Sequence, residues 1–247
     1  MRLVVAGATG MVGRYVVECA AGAGHTVVPL SRRTGQDVGT GAGLAAAMAG
    51  ADAVIDVSNV TTAATKAAVA FFTGATGHLL AAEQAAGVRH HVALSIVGID
   101  GQTSGYYVGK IAQERLLEAS PAPWTLLRAT QFHEFVPQMV GRTSVGPVVM
   151  IPAMRTSTVA AAEVAQRLVQ LAGEEPQGRA RDLGGPGEDD LADLVRRWLT
   201  ATGTRKKVLR VPVPGSFGRL MRSGALIAGA DADHGRQTFA EWLARQH

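Results

Sequence analysis

Residues 2–13, RLVVAGATGMVG, carry a short apolar stretch directly into glycines at Gly7, Gly10 and Gly13. Few structures accept that pattern other than a strand, a tight turn and a helix opening at once. A strand that ends in closely spaced glycines and opens a helix gathers backbone N–H groups and the positive helix end at one point, and residues without Cβ let phosphate oxygens come close. The stretch therefore predicts a pyrophosphate cradle, with Gly7, Thr9 and Gly10 in the loop and Met11 and Val12 in the first helical turn. A ligand-free strand-to-helix turn is the competing reading. The helix from Met11 to about Ala23 groups Val12, Tyr15, Val16 and Cys19 on one face, which predicts a buried stripe containing the chain's one cysteine.

Strand-like and helix-like stretches then alternate. Strands are expected at His25–Ser31, Ala53–Ser58, His91–Val97 and Trp124–Arg128, with helices at Gly43–Ala49, Thr65–Ala86 (weak at Thr73-Gly74) and Tyr106–Ala119. Near-continuous apolar strands between helices imply a parallel sheet buried on both faces. The expected class is α/β, a Rossmann-type doubly wound parallel sheet with a small C-terminal substrate-binding lobe. Beyond Arg128 the regularity weakens to a helix at Phe132–Val140, a strand at Val145–Ile151, a helix at Ala160–Leu171, a strand at Arg181–Leu183 and helices at Asp189–Thr202 and Thr238–Arg245. Residues 1–130 are thus read as the dinucleotide-binding core and 131–247 as a lobe packed on the same domain, with residues about 145–185 able to supply strands to the core. The helix from Asp189 and the tail through Trp242 are expected to cover the carboxyl edge of the sheet, where ligands of open α/β sheets lie.

Composition narrows the class. At 247 residues, 47% apolar and 18% charged, the chain can bury one full α/β core but not two large ones. Its first strand starts at Arg2, leaving no room for a leader, and no apolar run nears the roughly 20 residues that span a bilayer, so a cytoplasmic protein with no membrane partner is expected. A lone cysteine excludes a disulfide framework and a cysteine metal cluster, and no metal is expected. The net charge of +4 gathers partly at Arg196, Arg197, Arg205, Lys206, Lys207 and Arg210. Without interleaved aromatics for base stacking, these predict no nucleic-acid partner.

The spacing in GATGMVG, Gly-x-x-Gly-x-x-Gly, resembles the extended and atypical short-chain dehydrogenase/reductases, and the NmrA-like NAD(P)-binding branch in particular. The second strand ends Ser31-Arg32-Arg33, with no acid to hold a ribose 2′-hydroxyl. Arginine there can grip a 2′-phosphate through charge-assisted hydrogen bonds worth about 1.5–3 kcal/mol each, which gives about ten- to hundredfold preference for NADP(H). Two solvated loop charges are the alternative. The resemblance further implies that Asp37-Val38 forms a short strand contacting adenine, and that Val57, Ser58 and Asn59 line the adenosine ribose.

Within GYYVGKIAQERLLE, residues 105–118, Tyr106 and Lys110 lie one helical turn apart on one face. Such a pair can protonate a carbonyl oxygen as hydride reaches its carbon, the ammonium favouring phenolate. Tyr107 points about 100° away and is read as packing. The resemblance asks for a third hydroxyl, which Ser95, Thr103 or Ser104 could supply. TLLRATQFHEF, residues 125–135, resembles the segment that passes the nicotinamide in these reductases, which implies Ala129 and Thr130 (and Gln131) beside that ring and Phe132, His133 and Phe135 facing substrate. His133 is either a proton donor or a hydrogen-bonded wall residue, and Phe132, Met139, Met150 and Met154 are either pocket walls or lobe core. The resemblance spans residues 2–185 and ends at LGGPG. It implies an NADPH-dependent oxidoreductase, monomeric or homodimeric, that reduces a carbonyl, enone or quinone of a small apolar substrate. An NADP-binding redox sensor without turnover is the alternative. A sugar-nucleotide epimerase is opposed by Ser31-Arg32-Arg33 and the short C-terminal part.

Overall fold

A computed structural model describes residues 1–103 and 105–246 and divides them into two compact units. The first unit comprises 1–95, 100–128 and 164–180; the second comprises 96–99, 129–163 and 181–247. Elements are numbered along the chain.

The first unit is built on β1 (Arg2–Ala6), β2 (Thr26–Leu30), β3 (Ala53–Asp56), β4 (His91–Ile96) and β5 (Trp124–Ala129) in the spatial order β2-β1-β3-β4-β5. β1 pairs in parallel with β2 and β3, and β3 pairs in parallel with β4. The two central strands β1 and β3 are largely apolar and almost wholly buried, as strands covered on both faces must be. Edge strand β2 is half exposed and tolerates Pro29, which cannot donate to a ladder. Between the strands run α1 (Met11–Gly22), α2 (Leu44–Met48), α3 (Thr65–Ala86) and α4 (Tyr106–Glu118). Leu44 and Met48 of α2 and Leu79 of α3 meet Val4, Ala6 and Val54 on one sheet face. Because β1-α1-β2 and β3-α3-β4 step in opposite directions with right-handed crossovers, α1 covers the other face. α6 (Ala161–Gly173) enters this unit from Val164 on, and β9 (Gly178–Arg179) pairs with β5.

The second unit holds short elements. These are α5 (Phe135–Thr143), β6 (Ser144–Val145), β7 (Val148–Pro152), β8 (Arg155–Thr156), β10 (Leu183–Gly184), β11 (Asp189–Asp190), α7 (Leu191–Ala201), β12 (Lys207–Val211), α8 (Gly215–Ser223), β13 (Asp233–His234) and α9 (Phe239–Ala244). β12, β7 and β6 form a three-stranded sheet, β8 pairs with β11, and β10 pairs with β13 and, at Leu183, with Ala129. α7 packs its apolar face on α5 and β7. Among the described residues, no helix is long and apolar enough to cross a membrane.

Several elements differ from the sequence expectation. Val145–Ile151 is not one strand: Gly146, at φ +54°, and Pro147 turn it into a two-residue hairpin with Val145 opposite Val148. Asp37 makes an isolated antiparallel bridge to Ala42 rather than a strand with Val38, because its carboxylate folds back on the Gly39 N–H at 2.8 Å and nucleates a turn. The helix expected at Phe132 begins at Phe135, since Phe132 bridges to Val159. The helix after Asp189 starts at Leu191, capped by the Asp190 carboxylate accepting from the Ala192 N–H. In α1 the buried stripe is Val12, Gly13, Val16 and Ala20; Tyr15 and Cys19 lie at its margin, and burial raises the Cys19 thiol pKa. α3 runs unbroken through Thr73-Gly74, with the Thr73 hydroxyl bonded to the Val69 carbonyl at 2.8 Å.

Candidate functional site

The strand order reverses between β1 and β3, the switch point at which open α/β sheets leave a crevice for ligands. Gly7 follows β1 at φ +80°, and a Cβ there would meet the Val57 carbonyl oxygen at 2.7 Å and the Ser58 backbone at 2.8 Å. A Cβ on Gly13 would lie 2.1 Å from the Gly7 carbonyl oxygen. The loop thus stays open to a ligand because nothing larger than hydrogen fits on its protein side. α1 begins with no side-chain cap and no acidic residue in its first turn, with Thr9 and Gly10 exposed at the mouth. The Ser58 hydroxyl, beside the loop, is buried without a hydrogen-bond partner among the described residues. A cradle without side chains, a helix N-terminus without an acid and an unsatisfied hydroxyl fit a dinucleotide pyrophosphate.

At the end of β2 the Ser31 N–H donates to the Thr34 hydroxyl at 3.1 Å and fixes a single 3₁₀ turn over Arg32–Thr34. That turn presents Arg32 and Arg33 to solvent, and among the described residues neither guanidinium has a hydrogen bond or ion pair. Asp37 and Val38 follow, half-buried, and the Val38 carbonyl meets His78 Nδ1 at 2.9 Å.

Asn59 is exposed just beyond β3, and its Oδ1 accepts from the Tyr106 hydroxyl at 2.8 Å. Val57, Ser58 and Asn59 therefore link the glycine loop to the first turn of α4. Burial, with smaller contributions from Tyr107 against the Asn59 bond, holds the Tyr106 hydroxyl far above the ordinary phenol range, so it stays protonated. Tyr107 is pushed up to about 12 by burial.

Lys110 departs from the expected role toward Tyr106. Its Nζ donates to the Leu94 carbonyl at 2.6 Å and to Gln113 Oε1, and it lies 4.7 Å from the centre of the Phe72 ring. Gln113 is held in turn by Asp56 Oδ2 at 2.9 Å and the Thr76 hydroxyl at 3.1 Å. Burial pulls the Lys110 pKa down to about 8, with Asp56 and Glu114 opposing. Tyr106 and Lys110 share a helix face, but the Tyr106 hydroxyl bonds Asn59 while the Lys110 Nζ bonds Leu94 and Gln113.

Ser95 is buried in β4, and its hydroxyl donates to Glu114 Oε1 at 2.5 Å. Glu114 also takes Arg128 at 2.6 Å and Arg179 at 3.1 Å, and Arg128 reaches Asp100 at 2.7 Å. The Ser95 hydrogen is thus committed to the buried Glu114 carboxylate of an ion-pair cluster that runs out to the exposed Asp100 and Arg179. Thr103 is exposed in the loop before α4, and Ser104 lies outside the described residues. Asp56, Gln113 and Glu114 escaped the sequence reading; the signal was present in Gln113 and Glu114 standing three and four residues after Lys110 on its face.

In the second unit Ala129 and Thr130 are buried, Thr130 donating to the Ser157 carbonyl at 2.5 Å. Gln131 Oε1 accepts from the Thr156 hydroxyl at 2.9 Å. His133 is fully buried between Thr158 Oγ1 at 2.8 Å and the Gln237 carbonyl at 2.9 Å, beside the Phe239 and Trp242 rings, and burial lowers its pKa. Both ring nitrogens are occupied, so it is placed as a hydrogen-bonded core residue and not as a proton donor. Phe132, Phe135 and Met139 are half-buried, Met154 is buried, and Met150 is 45% exposed, neither pocket wall nor core.

Solved structures share this fold over nearly the whole chain. The NADPH complex of an NADPH-dependent quinone oxidoreductase from Escherichia coli is 19% identical, with a TM-score of 0.72 over 100% of this chain and 99% of that one. A nucleoside-diphosphate-sugar epimerase from Staphylococcus aureus is 17% identical, with a TM-score of 0.71 over 98% and 99%. A short-chain dehydrogenase/reductase superfamily protein from Agrobacterium tumefaciens with bound NAD is 18% identical, with a TM-score of 0.71 over 99% and 95%. No curated protein matches the chain. The profile of the NAD(P)H-binding family matches residues 7–175, from the first glycine of the cradle through α6. With its glycine loop and Rossmann-like sheet, the chain belongs to the NAD(P)H-binding family.

Proposed function

We propose that the chain binds NADP(H) and reduces a carbonyl, enone or quinone of a small apolar substrate, with Tyr106 as proton donor. The observation that carries this reading is the continuous link from the Gly7 loop through Ser58 and Asn59 to the Tyr106 hydroxyl, which brings a protonated phenol to the mouth of the cradle. Gly7, Thr9, Gly10 and the first turn at Met11 and Val12 would hold the pyrophosphate, Arg32 and Arg33 the 2′-phosphate, and Asp37 and Val38 the adenine. Ser31 fixes the turn that presents the arginines. Ala129 and Thr130 would lie along the nicotinamide, with Phe132 and Phe135 toward substrate. A bound nicotinamide supplies the hydride. Tyr106 Oη exchanges the Asn59 bond for the substrate oxygen and gives up its proton there. The Lys110 ammonium, set deep by Gln113, is a hydrogen-bond donor for the nicotinamide ribose.

A second reading, a dinucleotide-binding sensor without turnover, draws support from the commitment of Ser95 to Glu114 and of Lys110 to Gln113, which leaves Tyr106 without its usual helpers. The test follows NADPH oxidation with a panel of small quinones, enones and ketones. We expect turnover by the wild type and a loss of about a hundredfold in Tyr106→Phe with cofactor binding kept. Equal rates in the two forms would remove Tyr106 as the acid. Binding of NADPH with no turnover of any panel member would favour the sensor.

A further inference from the structure

Eight of the 24 Lys and Arg residues, and none of the 20 Asp and Glu, lie between Leu194 and Ala230. The rest of the chain is net acidic. This stretch contains β12, which ends the three-stranded sheet β12-β7-β6, so one of its edges is open. Lys207 opposes Val148 in parallel register, its N–H donates to the Pro147 carbonyl at 2.8 Å, and the Ala153 N–H donates to the Val211 carbonyl at 2.9 Å. In a parallel ladder, alternate residues carry the bonds to one neighbour. Lys207, Leu209 and Val211 therefore bond β7, and the N–H and C=O groups of Val208 and Arg210 point out of the open edge.

The same register places Leu209 beside Met150 and, through the hairpin, Val145 beside Val148 on one sheet face. Val145 is 64% exposed, Met150 45%, Leu209 41% and Val211 39%. Cations border this apolar face and the edge. Among the described residues Arg205 and Lys207 have no ion-pair partner, Lys206 Nζ donates to the Gly146 carbonyl at 3.2 Å, and Arg210 meets Asp190 at 3.0 Å.

We propose that the open edge of β12 is a docking site for an extended, acidic polypeptide segment of a partner protein, which adds to the sheet as a fourth strand. Such a segment would satisfy the Val208 and Arg210 backbone groups, place apolar side chains beside Leu209 and Met150, and set carboxylates among Arg205, Lys206, Lys207 and Arg210. Charge decides against the other occupants. A second copy pairing β12 to β12 would align four cations along one ladder, an unfavourable arrangement. A bilayer would cover the apolar face but leave the edge groups without partners in hydrocarbon.

Fluorescence anisotropy of a fluorescein-labelled nonapeptide of alternating Glu and Val, titrated with the full chain, tests the site without reference to the nicotinamide reading. The expected result is saturable binding that weakens with added salt, is absent for an alternating Lys and Val peptide, and falls at least tenfold in Lys206→Glu with Lys207→Glu, whose circular dichroism matches the wild type. Val208→Pro, which removes an outward N–H, is expected to weaken the same peptide. The proposal is overturned by no binding of the Glu-Val peptide, by binding that both variants leave intact, by capture on phosphatidylserine vesicles that the peptide does not compete away, or by a concentration-dependent dimer that the charge variant dissolves.

Discussion

Results

Sequence analysis

Residues 2–13, RLVVAGATGMVG, carry a short apolar stretch directly into glycines at Gly7, Gly10 and Gly13. Few structures accept that pattern other than a strand, a tight turn and a helix opening at once. A strand that ends in closely spaced glycines and opens a helix gathers backbone N–H groups and the positive helix end at one point, and residues without Cβ let phosphate oxygens come close. The stretch therefore predicts a pyrophosphate cradle, with Gly7, Thr9 and Gly10 in the loop and Met11 and Val12 in the first helical turn. A ligand-free strand-to-helix turn is the competing reading. The helix from Met11 to about Ala23 groups Val12, Tyr15, Val16 and Cys19 on one face, which predicts a buried stripe containing the chain's one cysteine.

Strand-like and helix-like stretches then alternate. Strands are expected at His25–Ser31, Ala53–Ser58, His91–Val97 and Trp124–Arg128, with helices at Gly43–Ala49, Thr65–Ala86 (weak at Thr73-Gly74) and Tyr106–Ala119. Near-continuous apolar strands between helices imply a parallel sheet buried on both faces. The expected class is α/β, a Rossmann-type doubly wound parallel sheet with a small C-terminal substrate-binding lobe. Beyond Arg128 the regularity weakens to a helix at Phe132–Val140, a strand at Val145–Ile151, a helix at Ala160–Leu171, a strand at Arg181–Leu183 and helices at Asp189–Thr202 and Thr238–Arg245. Residues 1–130 are thus read as the dinucleotide-binding core and 131–247 as a lobe packed on the same domain, with residues about 145–185 able to supply strands to the core. The helix from Asp189 and the tail through Trp242 are expected to cover the carboxyl edge of the sheet, where ligands of open α/β sheets lie.

Composition narrows the class. At 247 residues, 47% apolar and 18% charged, the chain can bury one full α/β core but not two large ones. Its first strand starts at Arg2, leaving no room for a leader, and no apolar run nears the roughly 20 residues that span a bilayer, so a cytoplasmic protein with no membrane partner is expected. A lone cysteine argues against a disulfide framework and a cysteine metal cluster, and no metal is expected. The net charge of +4 gathers partly at Arg196, Arg197, Arg205, Lys206, Lys207 and Arg210. Without a set of interleaved aromatics for base stacking, these predict no nucleic-acid partner.

The spacing in GATGMVG, Gly-x-x-Gly-x-x-Gly, resembles the extended and atypical short-chain dehydrogenase/reductases, and the NmrA-like NAD(P)-binding branch in particular. The second strand ends Ser31-Arg32-Arg33, with no acid to hold a ribose 2′-hydroxyl. Arginine there can grip a 2′-phosphate through charge-assisted hydrogen bonds worth about 1.5–3 kcal/mol each, which gives about ten- to hundredfold preference for NADP(H). Two solvated loop charges are the alternative. The resemblance further implies that Asp37-Val38 forms a short strand contacting adenine, and that Val57, Ser58 and Asn59 line the adenosine ribose.

Within GYYVGKIAQERLLE, residues 105–118, Tyr106 and Lys110 lie one helical turn apart on one face. Such a pair can protonate a carbonyl oxygen as hydride reaches its carbon, the ammonium favouring phenolate. Tyr107 points about 100° away and is read as packing or lobe contact. The resemblance asks for a third hydroxyl, which Ser95, Thr103 or Ser104 could supply. TLLRATQFHEF, residues 125–135, resembles the segment that passes the nicotinamide in these reductases, which implies Ala129 and Thr130 (and Gln131) beside that ring and Phe132, His133 and Phe135 facing substrate. His133 is either a proton donor or a hydrogen-bonded wall residue, and Phe132, Met139, Met150 and Met154 are either pocket walls or lobe core. The resemblance spans residues 2–185 and ends at LGGPG. It implies an NADPH-dependent oxidoreductase, monomeric or homodimeric, that reduces a carbonyl, enone or quinone of a small apolar substrate. An NADP-binding redox sensor without turnover is the alternative. A sugar-nucleotide epimerase is opposed by Ser31-Arg32-Arg33 and the short C-terminal part.

Overall fold

A computed structural model describes residues 1–103 and 105–246 and divides them into two compact units. The first unit comprises 1–95, 100–128 and 164–180; the second comprises 96–99, 129–163 and the residues from 181 on. Elements are numbered along the chain.

The first unit is built on β1 (Arg2–Ala6), β2 (Thr26–Leu30), β3 (Ala53–Asp56), β4 (His91–Ile96) and β5 (Trp124–Ala129) in the spatial order β2-β1-β3-β4-β5. β1 pairs in parallel with β2 and β3, and β3 pairs in parallel with β4. The two central strands β1 and β3 are largely apolar and almost wholly buried, as strands covered on both faces must be. Edge strand β2 is partly exposed and tolerates Pro29, which cannot donate to a ladder. Between the strands run α1 (Met11–Gly22), α2 (Leu44–Met48), α3 (Thr65–Ala86) and α4 (Tyr106–Glu118). Leu44 and Met48 of α2 and Leu79 of α3 meet Val4, Ala6 and Val54 on one sheet face. Because β1-α1-β2 and β3-α3-β4 step in opposite directions with right-handed crossovers, α1 covers the other face. α6 (Ala161–Gly173) belongs to this unit from Val164 on, and β9 (Gly178–Arg179) pairs with β5.

The second unit holds shorter elements. These are α5 (Phe135–Thr143), β6 (Ser144–Val145), β7 (Val148–Pro152), β8 (Arg155–Thr156), β10 (Leu183–Gly184), β11 (Asp189–Asp190), α7 (Leu191–Ala201), β12 (Lys207–Val211), α8 (Gly215–Ser223), β13 (Asp233–His234) and α9 (Phe239–Ala244). β12, β7 and β6 form a three-stranded sheet, β8 pairs with β11, and β10 pairs with β13 and, at Leu183, with Ala129. α7 packs against α5 and β7. Among the described residues, no helix is long and apolar enough to cross a membrane.

Several elements differ from the sequence expectation. Val145–Ile151 is not one strand: Gly146, at φ +54°, and Pro147 turn it into a two-residue hairpin with Val145 opposite Val148. Asp37 makes an isolated antiparallel bridge to Ala42 rather than a strand with Val38, because its carboxylate folds back on the Gly39 N–H at 2.8 Å and nucleates a turn. The helix expected from Phe132 begins at Phe135, since Phe132 bridges to Val159. The helix after Asp189 starts at Leu191, capped by the Asp190 carboxylate accepting from the Ala192 N–H. In α1 the buried stripe is Val12, Gly13, Val16 and Ala20; Tyr15 and Cys19 lie at its margin, and burial raises the Cys19 thiol pKa. α3 runs unbroken through Thr73-Gly74, with the Thr73 hydroxyl bonded to the Val69 carbonyl at 2.8 Å.

Candidate functional site

The strand order reverses between β1 and β3, the kind of switch point at which open α/β sheets leave a crevice for ligands. Gly7 follows β1 at φ +80°, and a Cβ there would meet the Val57 carbonyl oxygen at 2.7 Å and the Ser58 backbone at 2.8 Å. A Cβ on Gly13 would lie 2.1 Å from the Gly7 carbonyl oxygen. The loop packs this tightly only because these positions carry no side chain. α1 begins with no side-chain cap and no acidic residue in its first turn, with Thr9 and Gly10 exposed at the mouth. The Ser58 hydroxyl, beside the loop, is buried without a hydrogen-bond partner among the described residues. A side-chain-free cradle, a helix N-terminus without an acid and an unsatisfied hydroxyl fit a dinucleotide pyrophosphate.

At the end of β2 the Ser31 N–H donates to the Thr34 hydroxyl at 3.1 Å and fixes a single 3₁₀ turn over Arg32–Thr34. That turn presents Arg32 and Arg33 to solvent, and among the described residues neither guanidinium has a hydrogen bond or ion pair. Asp37 and Val38 follow, half-buried, and the Val38 carbonyl meets His78 Nδ1 at 2.9 Å.

Asn59 is exposed beyond β3, and its Oδ1 accepts from the Tyr106 hydroxyl at 2.8 Å. Val57, Ser58 and Asn59 therefore link the glycine loop to the first turn of α4. Burial first, then the neighbouring Tyr107, push the Tyr106 hydroxyl far above the ordinary phenol range, and the Asn59 bond opposes them only in part. Tyr107 is pushed up to about 12 by burial.

Lys110 departs from the role expected toward Tyr106. Its Nζ donates to the Leu94 carbonyl at 2.6 Å and to Gln113 Oε1, and it lies 4.7 Å from the centre of the Phe72 ring. Gln113 is held in turn by Asp56 Oδ2 at 2.9 Å and the Thr76 hydroxyl at 3.1 Å. Burial pulls the Lys110 pKa down to about 8, with Asp56 and Glu114 opposing. Tyr106 and Lys110 share a helix face, but the Tyr106 hydroxyl bonds Asn59 while the Lys110 Nζ bonds Leu94 and Gln113.

Ser95 is buried in β4, and its hydroxyl donates to Glu114 Oε1 at 2.5 Å. Glu114 also takes Arg128 at 2.6 Å and Arg179 at 3.1 Å, and Arg128 reaches Asp100 at 2.7 Å. The Ser95 hydrogen is thus committed to the buried Glu114 carboxylate of an ion-pair cluster that runs out to the exposed Asp100 and Arg179. Thr103 is exposed in the loop before α4, and Ser104 lies outside the described residues. Asp56, Gln113 and Glu114 escaped the sequence reading. A signal was present, since Gln113 and Glu114 stand three and four residues after Lys110, where helical neighbours meet.

In the second unit Ala129 and Thr130 are buried, Thr130 donating to the Ser157 carbonyl at 2.5 Å. Gln131 Oε1 accepts from the Thr156 hydroxyl at 2.9 Å. His133 is fully buried between Thr158 Oγ1 at 2.8 Å and the Gln237 carbonyl at 2.9 Å, beside the Phe239 and Trp242 rings, and burial lowers its pKa. Both ring nitrogens are occupied, so the structure places it as a hydrogen-bonded core residue rather than at a substrate surface. Phe132, Phe135 and Met139 are half-buried, Met154 is buried, and Met150 is 45% exposed on a sheet face.

Solved structures share this fold over nearly the whole chain. The NADPH complex of an NADPH-dependent quinone oxidoreductase from Escherichia coli is 19% identical, with a TM-score of 0.72 over 100% of this chain and 99% of that one. A nucleoside-diphosphate-sugar epimerase from Staphylococcus aureus is 17% identical, with a TM-score of 0.71 over 98% and 99%. A short-chain dehydrogenase/reductase superfamily protein from Agrobacterium tumefaciens with bound NAD is 18% identical, with a TM-score of 0.71 over 99% and 95%. No curated protein matches the chain. The profile of the NAD(P)H-binding family matches residues 7–175, from the first glycine of the cradle to just past α6. By that match, with its glycine loop and Rossmann-like sheet, the chain belongs to the NAD(P)H-binding family.

Proposed function

We propose that the chain binds NADP(H) and reduces a carbonyl, enone or quinone of a small apolar substrate, with Tyr106 as proton donor. The observation that carries this reading is the continuous link from the Gly7 loop through Ser58 and Asn59 to the Tyr106 hydroxyl, which brings a protonated phenol to the cradle. Gly7, Thr9, Gly10 and the first turn at Met11 and Val12 would hold the pyrophosphate, Arg32 and Arg33 the 2′-phosphate, and Asp37 and Val38 the adenine. Ser31 fixes the turn that presents the arginines. Ala129 and Thr130 would lie along the nicotinamide, with Phe132 and Phe135 toward substrate. A bound nicotinamide supplies the hydride. Tyr106 Oη exchanges the Asn59 bond for the substrate oxygen and gives up its proton there. The Lys110 ammonium, set deep by Gln113, would turn to donate to the nicotinamide ribose.

A second reading, a dinucleotide-binding sensor without turnover, draws support from the commitment of Ser95 to Glu114 and of Lys110 to Gln113, which leaves Tyr106 without helpers. The test follows NADPH oxidation with a panel of small quinones, enones and ketones. We expect turnover by the wild type and a loss of about a hundredfold in Tyr106→Phe with cofactor binding kept. Equal rates in the two forms would remove Tyr106 as the acid. Binding of NADPH with no turnover of any panel member would favour the sensor.

A further inference from the structure

Eight of the 24 Lys and Arg residues, and none of the 20 Asp and Glu, lie between Leu194 and Ala230. The rest of the chain is net acidic. This stretch contains β12, which ends the three-stranded sheet β12-β7-β6, so one of its edges is open. Lys207 opposes Val148 in parallel register, its N–H donates to the Pro147 carbonyl at 2.8 Å, and the Ala153 N–H donates to the Val211 carbonyl at 2.9 Å. In a parallel ladder, alternate residues carry the bonds to one neighbour. Lys207, Leu209 and Val211 therefore bond β7, and the N–H and C=O groups of Val208 and Arg210 point out of the open edge.

The same register places Leu209 beside Met150 and, through the hairpin, Val145 beside Val148 on one sheet face. Val145 is 64% exposed, Met150 45%, Leu209 41% and Val211 39%. Cations border this apolar face and the edge. Among the described residues Arg205 and Lys207 have no ion-pair partner, Lys206 Nζ donates to the Gly146 carbonyl at 3.2 Å, and Arg210 meets Asp190 at 3.0 Å.

We propose that the open edge of β12 is a docking site for an extended, acidic polypeptide segment of a partner protein, which adds to the sheet as a fourth strand. Such a segment would satisfy the Val208 and Arg210 backbone groups, place apolar side chains beside Leu209 and Met150, and set carboxylates among Arg205, Lys206, Lys207 and Arg210. Physical chemistry decides against the other occupants. A second copy pairing β12 to β12 would align four cations along one ladder, an unfavourable arrangement. A bilayer would cover the apolar face but leave the edge groups without partners in hydrocarbon.

Fluorescence anisotropy of a fluorescein-labelled peptide of alternating Glu and Val, titrated with the full chain, tests the site without reference to the nicotinamide reading. The expected result is saturable binding that weakens with added salt, is absent for an alternating Lys and Val peptide, and falls about tenfold or more in the double variant Lys206→Glu with Lys207→Glu, its circular dichroism matching the wild type. Val208→Pro, which removes an outward N–H, is expected to weaken the same peptide. The proposal is overturned by no binding of the Glu-Val peptide, by binding that both variants leave intact, by capture on phosphatidylserine vesicles that the peptide does not compete away, or by a concentration-dependent dimer that the charge variant dissolves.

Discussion

In the first unit, two sets of polar groups meet opposite surroundings. Around the glycine cradle Arg32 and Arg33 stand in solvent and, among the described residues, neither they nor the buried Ser58 hydroxyl has a partner. In the layer that holds Ser95, Glu114 takes Arg128 and Arg179, and nearby Glu83 and His91 pair at 2.8 Å with both side chains buried. At His91 burial opposes the positive charge, but the Glu83 carboxylate outweighs it and raises the pKa. A buried charge without a partner costs several kcal/mol, so Glu114, Arg128 and Glu83 are paired within the protein, although among the described residues His91 Nε2 is buried without a partner. The first set is incomplete, and in the proposed function a ligand completes it. Tyr106 stands between the two, half-buried and bonded to Asn59 alone among the residues that line the loop.

The comparison breaks most visibly if the buried layer proves dispensable. Glu114→Ala leaves Arg128 and Ser95 facing each other without the carboxylate, and should lower stability by about 3–5 kcal/mol, or the melting temperature by roughly 10 °C. Thermal unfolding checks this, and an unchanged melting temperature would show the layer to be idle. Next comes Tyr106→Phe, whose hundredfold loss of turnover corresponds to about 2.7 kcal/mol of transition-state stabilisation, with a melting shift equivalent to less than about 1 kcal/mol. Steady-state kinetics beside calorimetry separates the two quantities.

The exposed set should behave in the reverse way to Glu114. Arg32→Ala with Arg33→Ala is expected to remove about ten- to hundredfold of NADPH preference while leaving the melting temperature in place. A variant that melts early would move these arginines into the structural set. The smallest effect is one of pH. Since burial holds Lys110 at about 8, its ammonium is intact below that value and lost above it, so turnover should decline as pH rises past 8 while the Tyr106 phenol stays neutral. The sign for folding is opposite. A lysine whose folded pKa lies below its ordinary 10.5 is easier to protonate in the unfolded chain, so its contribution to stability rises from about pH 8 toward 10.5. Urea unfolding at both ends of that window, with Lys110→Met as the control that lacks the rise, measures it.

Legibility in the sequence followed the same division. The glycine loop, the strands from β1 to β5 and the Tyr106–Lys110 spacing were readable because a steric demand and a helical period act over a few neighbouring residues. Where Lys110 directs its Nζ was not, since Leu94, Asp56 and Thr76 reach it or Gln113 from distant segments. Ser95 read as a candidate hydroxyl because its commitment to Glu114 is nineteen residues away in sequence and invisible to spacing. Spacing left both readings of His133 open for the same reason, its second partner being the distant Gln237 carbonyl. In the second unit the two-residue strands β8, β10, β11 and β13 are too short to carry a period, and β12 reads as a basic run rather than as a strand.

We propose that the open cradle and the two solvent-facing arginines receive a 2′-phosphorylated dinucleotide. Titrating the wild-type chain into NADPH and, separately, into NADH while following nicotinamide fluorescence tests it most directly. The expected result is saturable binding of both with NADPH tighter by about tenfold or more. Equal affinities, tighter NADH, or no binding of either would contradict it.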